Sequence, residues 1–184
     1  MKITAEWLKK YDACKDGIEY LAVKFDNDIE AIDLAKYLLS ANNIDYLKWF
    51  IPRVLNRDNR IKYAVFAAEL ARECCKDKEL LIKIDACISV ANLCIAINTQ
   101  ENRNAAWAAG SVARAAWASG GVWTAGAAGA AGAAAWTAGA AGAAGDAWAT
   151  GTAEEAAEAA EDAGAAEDKI LDYGIELLEK QDES

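Results

Sequence analysis

From Thr4 to Asn98 the apolar residues recur every three or four positions, the period of a helix with one buried face. Trp7, Leu8 and Tyr11 form the first stripe and Thr4 stands where an N-cap belongs, so a helix over Ala5–Tyr11 is expected. Ile18, Leu21, Ala22 and Phe25 mark a second helix, closed by Asp26-Asn27-Asp28. Ile29, Ile32, Ala35 and Leu39 mark a third, closed by Ser40-Ala41-Asn42-Asn43. Asn43 opens Ile44–Ile51, and Pro52, which has no amide donor, is expected to bend or break the helix at that point. Arg57-Asp58-Asn59-Arg60 leads into Ile61–Cys75 with Val65, Ala68, Leu70 and Ala71 inward. Asp77 caps Lys78–Asn98, where Leu81, Ile84, Ile88, Ala91 and Ile95 keep helical spacing. No apolar–polar alternation lasts long enough to argue for a sheet.

Beyond Ile97 the pattern changes. Leu and Ile are absent until Ile170, and Ala fills 31 of the 62 positions from Ala105 to Ala166. Trp123–Gly132 recurs unchanged as Trp136–Gly145, a step of 13 residues. A shorter unit, Trp with Gly three residues on, occurs five times: Trp107/Gly110, Trp117/Gly120, Trp123/Gly126, Trp136/Gly139 and Trp148/Gly151. On a helix, residues i and i+3 are neighbours, so each Trp lies beside a position with no side chain. The ring can cover the backbone there, or another helix can come close. Small residues all round a helix mean that other elements enclose it.

Ten glycines between Gly110 and Gly151 weigh against helix by about 1 kcal/mol each. Gly126, Gly129, Gly132 and Gly139, Gly142, Gly145 also have the period of a polyproline-II bundle, which stays open as an alternative. The runs are short, the region has no proline and Ala is the best helix former, so helix is favoured. Gly120-Gly121 is the expected turn.

The last zone shows Thr152-Ala153-Glu154-Glu155, a capping box with Thr152 as N-cap and Glu155 at N3. Glu154, Glu158 and Glu161 then share a face with Glu155 and Asp162 alongside, opposite Ala153, Ala156, Ala157 and Ala160. After Gly164, a helix over Glu167–Lys180 turns Ile170, Leu171, Ile175 and Leu178 inward and Asp168, Asp172, Glu176 and Glu179 outward. The expected fold is therefore all-α, a compact multi-helix bundle forming one domain over residues 1–184. Leu/Ile-core helices occupy 1–104, the closely packed Ala/Gly/Trp repeat 105–151, and an acidic helical pair 152–184.

Charge sharpens these zones. The 184 residues carry 19 Lys and Arg against 29 Asp and Glu, a net charge of −10. Residues 1–104 hold 16 basic and 16 acidic side chains, whereas 105–184 hold 3 and 13, with every one of those acids from Asp146 onward. That balance argues against direct nucleic-acid binding, which needs Lys and Arg to displace counterions. It suits a basic protein partner, and Glu154, Glu155, Glu158, Glu161 and Asp162 are the candidate contact residues. A solvated face that keeps an Ala-rich chain soluble is the alternative meaning of the same charges.

The chain has no His, which removes imidazole bases, imidazole metal ligands and His-dependent triads. Nucleotide-binding glycine loops, the nucleophile-elbow motif and EF-hand loops are absent, so neither catalytic residues nor a cofactor or metal site is expected. Cys14, Cys74, Cys75, Cys87 and Cys94 make an odd set without CxxC spacing, expected to be buried reduced thiols of a cytoplasmic protein. Met1–Lys10 has no apolar core of a signal peptide. Ala115–Gly145 lacks charge but also lacks Leu, Ile, Phe and Met, so no membrane span is expected.

The opening Ile3-Thr4-Ala5-Glu6-Trp7-Leu8, Ala13-Cys14, Gly17 and Phe25, then Arg60–Glu69, then the Ala/Trp run from Ala105, resembles a known family. These segments are similar to the all-helical immunity proteins of bacterial polymorphic toxin systems, also encoded by phage and prophage. The family interleaves Arg with Ala and Trp, where this chain has mostly Gly and retains Arg114. The resemblance implies an all-α fold and neutralisation of a toxin, often a nuclease, by binding; it supplies no catalytic residues. Two other functions remain open: a structural module whose Ala/Gly face docks on a second copy, and a Trp-lined pocket for a small nucleotide-like ligand.

Overall fold

Several helix starts follow the polar signals of the chain. The computed structural model describes residues 1–26, 28–119, 122–140, 146–163 and 165–183, without the side chains of 114–119, 122–125 and 146–148. Helix α1 (Ala5–Lys10) begins at Thr4, whose hydroxyl accepts the Trp7 amide at 3.2 Å. Helix α2 (Lys15–Phe25) begins at Cys14 and ends at Asp26 in the left-handed region, φ 51°. Helices α3 (Ala31–Ser40) and α4 (Ile44–Val54) come next, then α5 (Arg57–Cys74), capped by Asn56, and α6 (Lys78–Ala96), capped by Asp77. The Ala-rich half forms α7 (Gln100–Ser119), α8 (Val122–Ala140) and α9 (Asp146–Asp162), and α10 (Glu167–Asp182) closes the chain. Among the described residues these ten helices make an all-α bundle. No described helix is long and apolar enough to cross a membrane.

A two-stranded antiparallel sheet, β1 (Lys2–Thr4) on β2 (Asp28–Glu30), is the one departure from helix among these residues. Ile3, fully buried, stands opposite Ile29, which heads no helix as its spacing suggested. Strands of three residues are too short for alternation to show in the sequence.

Pro52 does not end α4, which continues to Val54. The proline lies in the last turn, so its missing amide costs one hydrogen bond just where the helix is closing. Arg60 of α5 takes over the open end: its Nε donates to the Pro52 carbonyl at 2.9 Å and its Nη2 to the Leu55 carbonyl at 3.0 Å. The guanidinium is buried among backbone acceptors that would otherwise lack donors.

Helix α8 is the axis of the bundle, in contact with α5, α6, α7 and α9. Its described side chains from 126 to 140 are buried apart from Gly129 and Trp136, which are half-buried. Gly126, Gly129, Gly132 and Gly139 are helical, so polyproline-II is excluded there; Gly142, Gly145 and the Gly120-Gly121 turn lie outside the described residues. A Cβ on Gly126 would come within 2.7 Å of the Ala163 nitrogen and 2.8 Å of the Ala159 carbonyl, so α9 approaches α8 backbone to backbone. Toward α7 the Trp–Gly units interlock. A Cβ on Gly110 would lie 2.3 Å from the Trp136 ring, and one on Gly139 would lie 2.9 Å from the Trp107 ring. Trp107 and Trp136 thus each cover the glycine of the facing helix, with the two ring centroids 6.1 Å apart. The side chains of Trp117, Trp123 and Trp148 fall outside the described residues.

Thr152 is not an N-cap. It sits inside α9, which starts at Asp146, and its hydroxyl donates to the Ala149 carbonyl at 3.2 Å and meets the buried Thr137 hydroxyl at 3.0 Å. A buried hydroxyl inside a running helix finds the carbonyl one turn back rather than an orphan amide. Residue 152 is therefore not an element boundary. All the cysteines are free; Cys75, Cys87 and Cys94 are buried, whereas Cys74 is half-buried and Cys14, at the start of α2, is exposed. Burial raises the Cys87 thiol to about 11.

The interlock makes glycine substitutions differ in sign. Gly110→Ala or Gly139→Ala forces a Cβ into a Trp ring and should cost about 2 kcal/mol. Gly151→Ala, whose Cβ would meet nothing within 4 Å, should instead stabilise by about 1 kcal/mol. Urea unfolding followed by circular dichroism reads both; one common sign for all three variants would contradict this packing.

Candidate functional site

Spacing along α9 puts Glu154, Glu158 and Glu161 on one face, and that face meets α4. Arg53 Nη1 contacts Glu154 Oε2 at 2.8 Å while its guanidinium stacks 4.2 Å from the Trp49 ring centroid. One turn and more along α4, Lys48 Nζ contacts Glu161 Oε2 at 2.8 Å and also pairs with Glu167 at the start of α10. The opposite side of α9 carries Ala153, Ala156, Ala157 and Ala160, all buried. Alanine on that side lets α9 lie close to α5 and α8, and the carboxylates on the other side then reach the cations of α4.

The five carboxylates singled out from the sequence therefore divide in two. Glu154 and Glu161 are internal ion-pair members, their side chains each 23% exposed. Glu158 and Asp162 are exposed and Glu155 is half-buried. On α10, Asp168, Asp172 and Glu176 are exposed as the pattern predicts, while Glu179 pairs with Lys36 of α3 at 2.7 Å. Lys48 and Arg53 were not legible as partners, because the contacts they make span 113 and 101 residues of chain. Of the repeat tryptophans, Trp107 and Trp136 are brought together between α7 and α8, away from this seam.

Below the seam lies Tyr63 of α5, fully buried. Neither its hydroxyl nor Glu161 Oε1 has a hydrogen-bond partner among the described residues. Burial pushes the Tyr63 hydroxyl well above its ordinary range, and the nearby Glu161, Glu154 and Glu167 add to the rise. Burial likewise raises the Glu161 carboxyl, and the Lys48 ammonium only partly offsets it. Glu158 is raised first by burial and then by Glu154. Lys48 is lowered by burial but raised more by its bonds to Glu161 and Glu167, so it stays charged. Among the described residues no group of three or more Cys, Asp or Glu is placed to hold a metal ion. The seam ties α9 to α4 and leaves Glu155, Glu158 and Asp162 outside its ion pairs.

Lys48→Met leaves Glu161 partly buried without its cation and should cost about 2 kcal/mol at pH 7, less than for a fully buried pair. Lys48 holds the Glu161 carboxyl down against burial, so in Lys48→Met its folded-state pKa rises further above the unfolded value, and the variant gains more stability than the wild type as pH falls through that value. Part of the loss should therefore return at pH 5. Urea titrations at both pH values check this; an equal deficit at each would contradict the burial of Glu161. The chain matches no protein-family model, no curated protein and no solved structure, so the meaning of this surface rests on its own residues.

Proposed function

We propose that this chain is a non-catalytic binding protein that neutralises a basic protein partner, a toxin or defence nuclease, by covering its cationic site. The observation that carries the proposal is the segregation of charge: 16 against 16 over residues 1–104, then 13 acids from Asp146 onward beside only Lys169 and Lys180. A solubility role needs net charge anywhere on the surface; placing it in the last two helices suits recognition. A nuclease groove is built to hold phosphates. Glu155, Glu158 and Asp162, on a helix anchored through Glu154 and Glu161, would present carboxylates to it in place of phosphates. The resemblance of the opening and of the Ala/Trp run to immunity proteins supports the same reading. The five free cysteines suit a reducing, cytoplasmic setting.

The test is an affinity capture from host lysate at low and moderate salt, with Glu155→Gln/Glu158→Gln/Asp162→Asn beside the wild type. The expected result is a basic nuclease held by the wild type, inhibited by it, and bound at least tenfold more weakly by the variant. Capture of the same proteins by both, or of no basic protein, contradicts the proposal.

A second reading, self-association, is favoured by a different surface. Ile82, Leu93 and Ile97 lie along one exposed side of α6 and its end, 71%, 42% and 55% exposed. The Ala/Gly surface of α8 is not open to a second copy, because α5, α6, α7 and α9 enclose it. Light scattering separates the two: a monomer fits the inhibitor, whereas a dimer broken by Leu93→Glu fits the module.

A further inference from the structure

Between the N-terminal helices and α4 lies a cavity of about 390 Å³, within the size range of small-molecule sites. Its lining comes from residues 8–50 together with Glu154 of α9, and it takes no part in the proposed recognition of a basic partner. Leu21, Leu34 and Phe50, all buried, line its apolar part. Tyr20, Tyr46 and Trp49 add aromatic surface, the first two with ring centroids 6.3 Å apart. The Tyr20 hydroxyl is already engaged, donating to Tyr37 at 2.9 Å and accepting from Asn43 at 3.2 Å, so what it adds to the cavity is ring.

The charged lining is of one sign. Asp12, Asp45 and Glu154 line the cavity, and no Lys or Arg is among its described lining residues. Glu154 is compensated by Arg53, but Asp12 and Asp45 are exposed and form no ion pair among the described residues. Asp12, at φ 55° after the end of α1, and Asp45, in the first turn of α4, reach the same opening from two separate elements. Carboxylates at an apolar, aromatic-lined opening attract a cation and repel an anion, and aromatic faces add to the attraction. A phosphate-bearing ligand would meet the carboxylates of Asp12 and Asp45, and Arg53, the cation beside the lining residue Glu154, is already paired with it.

We infer that this cavity binds a small apolar cation, an aryl or alkyl amine whose hydrocarbon body occupies the space among Leu21, Phe50 and Trp49 while its ammonium group meets Asp12 and Asp45. None of Glu155, Glu158 and Asp162 lines the cavity, so the proposal does not rest on the outward carboxylates of α9.

Three probes of one shape and different charge test it on the whole chain: tryptamine (cation), indole (neutral) and indole-3-propionate (anion), followed by chemical-shift titration at low salt. Tryptamine should bind at least tenfold more tightly than indole-3-propionate, with saturable shifts at the cavity residues. Asp12→Asn/Asp45→Asn should weaken tryptamine at least fivefold and leave indole unchanged; asparagine tolerates the left-handed backbone at position 12. Gly17→Leu should abolish binding of all three by filling the cavity. A Cβ there meets only Cys14 Sγ, at an ordinary 3.4 Å, and Leu is the better helix former, so the fold should survive. Equal affinity for cation and anion, absence of saturable shifts, or tryptamine binding that persists in a folded Gly17→Leu chain would each overturn the inference. Should Gly17→Leu not fold, the aspartate pair decides alone.

Discussion

The backbone-to-backbone approach of α8 to its neighbours is the constraint on which the remaining geometry depends. A helix of Ala and Gly buries little apolar area per residue, so it cannot hold large partners at the usual distance with the usual energy. It gains instead from closeness. At Gly126 the α9 backbone comes where a side chain would otherwise stand, and at Gly139 a Trp107 ring does the same. Many dispersion contacts at short range then offset the helix-propensity cost of each glycine, about 1 kcal/mol. The interlock is also directional. Trp136 fits over Gly110 and Trp107 over Gly139 in only one antiparallel register of α7 and α8.

That axis determines where the charge ends up. With α9 drawn onto α8 by Gly126 and Gly129, its opposite side meets α4, where Lys48 and Arg53 pair with Glu161 and Glu154. The ion pairs are partly buried, so their energetic return is modest; their consequence is orientation. Rotating α9 by one residue would bury Glu158 or Glu155 without a cation. A helix pinned by two of its carboxylates can present the others at fixed positions, which is what recognition of a cationic surface by charge pattern asks for.

Much of this was legible in the sequence, for reasons that differ by element. The stripes around Leu21, Ala35, Ala68 and Ile84 and the caps at Thr4 and Asp77 are local signals, and the helices appear where they point. Small residues all round α8 foretold an enclosed helix, since nothing on it prefers water. What escaped were choices made by distant residues. Arg60 decides how α4 closes after Pro52, and it lies on the next helix. Thr152 looks like a cap until Thr137 and the Ala149 carbonyl claim its hydroxyl. The acidic face looked wholly open to a partner or to solvent because its cations stand more than 100 residues away on α4. The Trp–Gly unit was visible as spacing, but spacing within one helix could not say that Trp107 and Trp136 each cover a glycine of the facing helix.

Native-state hydrogen exchange on the intact chain tests the central role of α8 most directly. Amides of Ala127–Ala138 should belong to the slowest class, opening only with global unfolding, while those of α2, with Leu21 its one buried side chain, exchange much faster. Exchange across Ala127–Ala138 as fast as in α2 would mean that the glycine-rich helix is not the axis of the bundle, and the positioning of α9 by that axis would fall with it.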